Sequence, residues 1–279
     1  MTEGTWVDVA PGVAVLGLRT PTLPPATHTN AVILGRHATT VVDPASPWDD
    51  ERGRLVQALG GRDLARIVLT HHHHDHVAGA LALADAWEGL GHRRPPILAH
   101  ALTAARLEGR LAVDGLLAPG DVVQVEGTGW TVQHTPGHAP GHIVLEDGEG
   151  LVVAGDMVAG VGTILIDPED GDLGDYLESL AGLQARGAAR LIPSHGPVLD
   201  HAEAVLGFYI AHRHQRTQQA ADALRRLGEV DVAALVADVY AEVASALWPI
   251  AAVQLLAHLR WMARHGLARE VVPGRWVSL

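Results

Sequence analysis

The chain of 279 residues contains no cysteine and no lysine. Without thiols it can form no disulfide, and a transition metal would have to be held by His, Asp or Glu. All 20 basic residues are Arg, set against 32 acids, for a formal charge of −12. Cations are scarce in residues 1–200, with 12 Arg against 25 acids, and balanced in 201–279, with 8 Arg against 7 acids. An acidic first part repels extended polyanions, although bound dications would reverse that field locally. There is no Lys-rich or aromatic-basic stripe of the kind that tracks a nucleic-acid backbone. Nor does any stretch approach the roughly 18 uninterrupted apolar residues of a membrane span. The opening residues, Met1-Thr2-Glu3-Gly4-Thr5-Trp6, carry an acid where a secretory signal carries basic residues. The expectation is a cytoplasmic protein with no membrane partner.

What is present suffices for a large core, since 48% of residues are hydrophobic and 19% charged. Short β-like runs alternate with Gly/Pro punctuation over the first 200 residues, among them Ala31–Leu34, Ile67–Thr70, Leu151–Ala154 and Arg190–Ile192. Helical periodicity intervenes at Asp49–Leu59, Gly79–Leu90, Leu102–Arg110 and Leu173–Ala185. Interleaving of this kind predicts an α/β layered domain over 1–200. After His201 the pattern changes to three helices, Ala202–Leu227, Asp231–Tyr240 and Pro249–His265, followed by a hairpin from Leu267–Val272 and Arg275–Ser278. Asp231 suits an N-cap, and Gly228 and Gly266 suit terminators. Residues 201–279 therefore read as a winged-helix-like C-terminal domain.

The sharpest signal is Ile67-Val68-Leu69-Thr70-His71-His72-His73-His74-Asp75-His76. A β-branched run that ends in histidines places imidazoles on the loop at a strand's C-terminal end, where ligands can converge. An expression tag would be terminal and would not continue into Asp75-His76. The pattern His-x-His-x-Asp-His lets His71 and His73 face one ion while Asp75 and His76 face a second, with His72 and His74 as spacers. Three later segments each put a ligand-type side chain at a strand terminus: Thr135-Pro136-Gly137-His138, Gly155-Asp156 and Pro193-Ser194-His195-Gly196.

Taken in this order, the set resembles the metallo-β-lactamase superfamily over residues 10–200. The resemblance implies an αββα sandwich and two zinc ions, with Mn2+ or Fe2+ as other loads. It assigns His71, His73 and His138 to one ion, Asp75, His76 and His195 to the other, and Asp156 to a bridge. His142 falls beside the cage and is a candidate for protonating a leaving group. Asp43, ending Thr40-Val41-Val42-Asp43, matches a position that orients a ligand imidazole. Thr29-Asn30, Gly160-Val161-Gly162-Thr163, Asp175-Tyr176-Leu177-Glu178-Ser179-Leu180, His212-Arg213 and Arg216 are similar to the lactamase-beta-2 group, which extends the likeness into the tail. Two positions depart from the pattern, Ala78 and Ser194, where glycine is usual; neither is a ligand.

The implied activity is hydrolysis by a metal-bridged hydroxide, with Asp75 helping to orient the water. The acidic surface favours a small ester-like acyl substrate, a thioester or a lactone. The alternative from the same group is a metal-dependent single-strand endoribonuclease, which makes RNA the second candidate partner. An iron-dependent redox enzyme is disfavoured by His73, because diiron relatives carry Glu there. Arg213 and Arg216, one helical turn apart, are candidates for holding an anionic substrate group, and Thr163 for lining the pocket. For the tail, packing or homodimerisation is favoured over reading nucleic acid, since Pro249–His265 offers only Arg260, Arg264 and two His.

Overall fold

The protein is described, over residues 4–279, from a computed structural model. The chain divides into two compact units. The first takes the described residues of Met1–Thr135 together with Pro140–Ile164 and Arg186–Glu203; the second takes Pro136–Ala139, Leu165–Ala185 and Ala204–Leu279.

Two mixed sheets build the first unit. The first sheet runs in chain order: β1 (Trp6–Ala10), β2 (Val13–Arg19), β3 (His28–Leu34), β4 (Ala38–Val42), β5 (Asp63–Leu69), β6 (Ile97–His100) and β7 (Gly115–Leu117). The first four pair antiparallel; from β4 onward the pairing is parallel, and crossover segments carry α1 (Asp49–Leu59), α2 (His74–Val77), α3 (Ala80–Gly89) and α4 (Ala101–Leu107). The second sheet holds β8 (Val122–Val125), β9 (Thr128–His134), β10 (Ile143–Glu146), β11 (Leu151–Gly155), β12 (Arg190–Pro193) and β13 (Leu199–Asp200), with only β11 and β12 parallel.

Alternation along the strands decides the layers. In β2 and β3, Val13, Val15, Val32 and Leu34 turn to a core shared with Trp130, Val132, Ile143, Leu145 and Val153 of the second sheet. Their neighbours Leu16, Leu18, Ala31 and Ile33 turn the other way, onto Leu55 and Leu59 of α1 and Leu83 and Trp87 of α3. With both faces covered, the strands read as continuous apolar runs, as parallel-containing sheets do.

In the second unit lie α5 (Leu173–Ala185), α6 (Ala202–Leu227, from Ala204 on), α7 (Val232–Val239) and α8 (Trp248–Arg264), with a three-stranded ribbon of β14 (Val230–Asp231), β15 (Ala268–Val272) and β16 (Arg275–Ser278). Asp231 caps α7, its carboxylate accepting from the Ala234 N–H at 2.8 Å. Leu224, Leu235, Val239, Leu255, Leu259, Met262 and Trp276 form one core around α8. The predicted winged-helix arrangement is present, with β14 as a third strand that two residues of sequence could not announce. Among the described residues no helix is long and apolar enough to cross a membrane.

Candidate metal centre

Most side chains of the candidate centre in the first unit sit just beyond a strand's C-terminal end, with Asp43 after β4, His71 and His73 after β5, Asp156 after β11 and His195 after β12, while Asp75 and His76 stand on the short α2. Backbone hydrogen bonding ends there, so side chains turn inward without breaking a ladder.

Thr70 and Asp43 organise the His cluster. Asp43, buried with φ of 50°, accepts from the Thr70 N–H at 2.8 Å and from the Thr70 hydroxyl at 2.5 Å. A hydroxyl has one hydrogen, so Thr70 Oγ1 must accept from His71 Nδ1, 3.0 Å away. His71 therefore carries its proton on Nδ1 and aims a lone pair from Nε2, which lies 3.0 Å from His73 Nδ1. The other Asp43 contact, 2.8 Å to His76 Nδ1, fixes the same tautomer on His76. His195 Nδ1 donates to the His28 carbonyl at 3.0 Å. All three imidazoles thus present Nε2 to the interior, the arrangement by which carboxylates and carbonyls orient metal-binding histidines.

Two of those nitrogens, on His76 and His195, face two carboxylates. His76 Nε2 is 3.7 Å from Asp156 and 3.9 Å from Asp75; His195 Nε2 is 3.5 Å from Asp156 and 3.6 Å from Asp75. These gaps exceed a hydrogen bond, and His76 Nε2 is buried with no hydrogen-bond partner among the described residues. Donors about 2.1 Å from a tetrahedral ion lie roughly 3.4 Å apart, so the spacing fits a cation at the centre. Donor atoms of Asp75, His76 and His195 all lie within 4.8 Å of one another, as do those of Asp43, His71 and His76. The Asp43 oxygens are already taken by Thr70 and His76, which makes Asp43 an orienting group, as expected.

Electrostatics agree. Burial alone would lower the His76 pKa, but the Asp156 and Asp75 carboxylates outweigh it and raise it well above the ordinary value. Burial would raise Asp156; the His195 and His76 imidazoles instead hold it well below the usual carboxylate range. Such a pocket of buried carboxylates asks for positive charge, which dications supply with the imidazoles neutral.

His142 is fully buried behind Asp156. Its Nε2 accepts from the Asp156 N–H at 3.0 Å, so its proton is on Nδ1, donated to Thr135 Oγ1 at 2.8 Å. Both ring nitrogens are engaged, which gives His142 a bracing position and leaves no proton facing solvent. The ring fits because residue 155 is glycine: a Cβ there would stand 2.4 Å from His142 Nε2. Asn30 holds the neighbouring segment, its amide donating to the Pro193 and Gly196 carbonyls at 2.8 Å each. Sequence reasoning passed over the hydroxyls of Thr70 and Thr135 and the carbonyl of His28; only the first, directly before the His cluster, left a signal.

His138 belongs to the second unit. It is 7% exposed, and its Nδ1 donates to the Leu165 carbonyl at 2.8 Å. The preceding Gly137, with φ of 124°, touches α5 so closely that a Cβ would lie 2.2 Å from Tyr176 N. Arg213, at 1% exposed, lies 5.3 Å over the Tyr176 ring. Arg216 Nη1 is shared among Gln219, the Val239 carbonyl and Glu242. Of the pair expected to hold an anionic substrate group, Arg213 is enclosed and Arg216 already has three acceptors. Thr163 is exposed on the loop after β11. A cavity of about 310 Å³ in the first unit is lined by His28, Asn30, Gly160, Val161 and Pro197 among others, with no Asp, Glu or Arg among the described residues of its wall.

A family model described as the metallo-beta-lactamase superfamily matches residues 24–195, well over half the chain. This chain belongs to the metallo-β-lactamase superfamily. A second model, the beta-lactamase associated winged helix domain, matches residues 232–276. A Drosophila melanogaster protein named "Beta-lactamase-like protein 2 homolog" is 29% identical over 86% of this chain and 84% of its own length. An Aspergillus aculeatus protein named "Atrochrysone carboxyl ACP thioesterase AacuM" is 30% identical over 72% of this chain and 60% of its own. A crystal structure of a beta-lactamase domain protein from Burkholderia ambifaria superposes with a TM-score of 0.84 at 23% identity, covering 100% of this chain and 94% of that one. The metallo-β-lactamase fold with a winged-helix tail is thereby established, and the chain is a metal-dependent hydrolase of that superfamily.

Proposed function

We propose that this protein hydrolyses a small ester-like acyl compound, a thioester or a lactone, with two zinc ions. His71, His73 and His138 would hold one ion and Asp75, His76 and His195 the other, with Asp156 reaching both. The carrying observation is that His76 and His195, each pinned through Nδ1, face Asp75 and Asp156, with His76 Nε2 buried and without a hydrogen-bond partner among the described residues. Dications bound there supply Lewis acidity, lowering the pKa of coordinated water toward about 7 and polarising a carbonyl oxygen.

The chain's own groups do the rest. Asp75, with 18% of its side chain exposed against 9% for Asp156, reaches solvent best and orients the attacking water. We assign His142 to bracing Asp156 rather than to proton transfer, because both its nitrogens are engaged. Thr163, exposed on its loop, lies on the substrate side in this reading.

Two facts favour an acyl substrate over RNA. Arginines of the tail are committed: Arg260 to Glu169, Arg264 to Asp172, Arg226 to Asp238 and Arg275 to Glu229. A helix whose cations are paired presents little field to a phosphate backbone. Relatives named as thioesterases add to the case.

The test is a panel of chromogenic thioester, lactone, cephalosporin and fluorescent single-stranded RNA, each with zinc, after chelation, and with an Asp75→Ala variant. Acyl hydrolysis that chelator and substitution both remove is expected. RNA cleavage sensitive to Asp75→Ala, without acyl hydrolysis, overturns the reading in favour of an endoribonuclease.

A further inference from the structure

On α8 the buried residues recur at Ala251, Gln254, Leu255, His258, Leu259 and Met262, one apolar stripe at helical spacing. Gln254 is an oddity in that stripe. It is 7% exposed, and its Nε2 has no hydrogen-bond partner among the described residues. A half-satisfied buried amide is poorer packing than leucine. Its other end explains it: Gln254 Oε1 accepts from the Ile166 N–H at 3.0 Å.

That N–H belongs to the same peptide group as the Leu165 carbonyl, the acceptor of His138 Nδ1 at 2.8 Å. A planar peptide has its N–H and C=O on opposite sides, so the two bonds form a continuous chain through one rigid unit. An acceptor on the N–H strengthens the carbonyl as an acceptor, because hydrogen bonds in series polarise one another. A carbonyl only accepts, so His138 must carry its proton on Nδ1 and keep the Nε2 lone pair. All four groups lie in the second unit.

We infer that Gln254 is a positioning residue for His138: through the 165–166 peptide it orients and polarises the carbonyl that holds that imidazole, and so tunes its hold on a cation. Gln254 falls inside the segment matched by the winged-helix model, so the tail acts on His138 through a specific bond. This rests on the assignment of His138 as a metal ligand.

The experiment uses the full-length chain and measures zinc affinity by chelator competition, together with the visible spectrum of the cobalt-substituted protein. Gln254→Met keeps the length and loses the acceptor; Gln254→Glu keeps an acceptor oxygen. Thr217→Val breaks a different buried pair on α6, Thr217 with His258, without touching the relay. Partners one step removed from a metal typically carry 10–100-fold in affinity. Gln254→Met should weaken one of the two ions about tenfold and shift the cobalt bands, Gln254→Glu should restore both, and Thr217→Val should leave both as they were. Should Gln254→Met melt too low to assay, Gln254→Glu decides: lost affinity in a folded chain overturns the relay. Wild-type affinity in Gln254→Met, or an equal loss in Thr217→Val, overturns it as well. His138→Ala separates the layers. If it loses one ion while Gln254→Met loses none, only the relay fails; if it keeps both, the ligand assignment fails and takes the relay with it.

Discussion

His76 in the first unit and His258 in the second are both fully buried imidazoles, and their environments drive them in opposite directions. Burial lowers His258, the nearby Arg213 and His212 add to that, and its pKa falls to about 3. Burial acts on His76 too, yet Asp156 and Asp75 reverse it. Depth alone therefore makes a histidine a neutral core residue. Carboxylates facing the ring make it part of a charge trap, as Asp156 and Asp75 do for His76. The His258 ring illustrates the bland outcome: one nitrogen on Thr217 at 2.8 Å, at a position where charge is excluded.

The comparison breaks most visibly at the trap. Asp156→Ala removes the carboxylate that faces both His76 and His195, and is expected to lower zinc-dependent hydrolysis and zinc affinity by more than the roughly 100-fold ceiling seen for indirect partners. Elemental analysis beside an acyl-hydrolysis assay checks this; full zinc content would contradict the trap. Asp43→Asn should cost about 10–100-fold in zinc affinity while the fold persists, because the His76 and Thr70 bonds weaken but no ligand is lost.

Gly155→Ala tests the packing behind it. Its Cβ would meet His142 Nε2 at 2.4 Å, and its φ of 53° disfavours a side chain, so a stability loss of about 1–3 kcal/mol is expected by denaturant titration.

The second unit provides the pH test. A histidine depressed from about 6.5 to about 3 stays neutral in the fold while the unfolded chain takes up a proton, so its contribution is complete above pH 6.5 and is lost on acidification toward 3. Within that window the slope is about 1.4 kcal/mol per pH unit. His258→Leu should flatten the difference in stability between pH 7 and pH 5; an unchanged slope would place the effect elsewhere.

The smallest effect concerns a surface carboxylate. Glu126 accepts from the N–H groups of Arg36, His37 and Ala38, which hold its pKa at about 2. Its contribution is present above the ordinary carboxylate pKa and fades as pH falls toward 2. Glu126→Gln should therefore lower the melting temperature slightly near neutrality, with the difference from wild type closing as pH falls toward 2.

Periodicity alone located Asp49–Leu59, Leu173–Ala185 and Ala202–Leu227 to the residue, because each carries apolar positions at helical spacing, even where Glu51, Arg213 and Thr217 interrupt the buried face. Strands β1 and β7 escaped notice. Trp6–Ala10 has weak alternation, and Gly115–Leu117 is three residues long, strand only because β6 lies beside it. The His71–His76 cluster was legible because local spacing carries its chemistry. Gln254 was not, since its meaning depends on a backbone group 88 positions away.

Sequence by itself determined the elements, the layering and the donor types, for these follow from side-chain period and chemistry along a short stretch of chain. Tertiary structure decided which nitrogen of each imidazole is pinned, that Thr70 and Asp43 serve His71 and His76 together, and that Arg213 is enclosed. Those outcomes depend on hydrogen bonds and burial between segments far apart in the chain, and no local pattern encodes them.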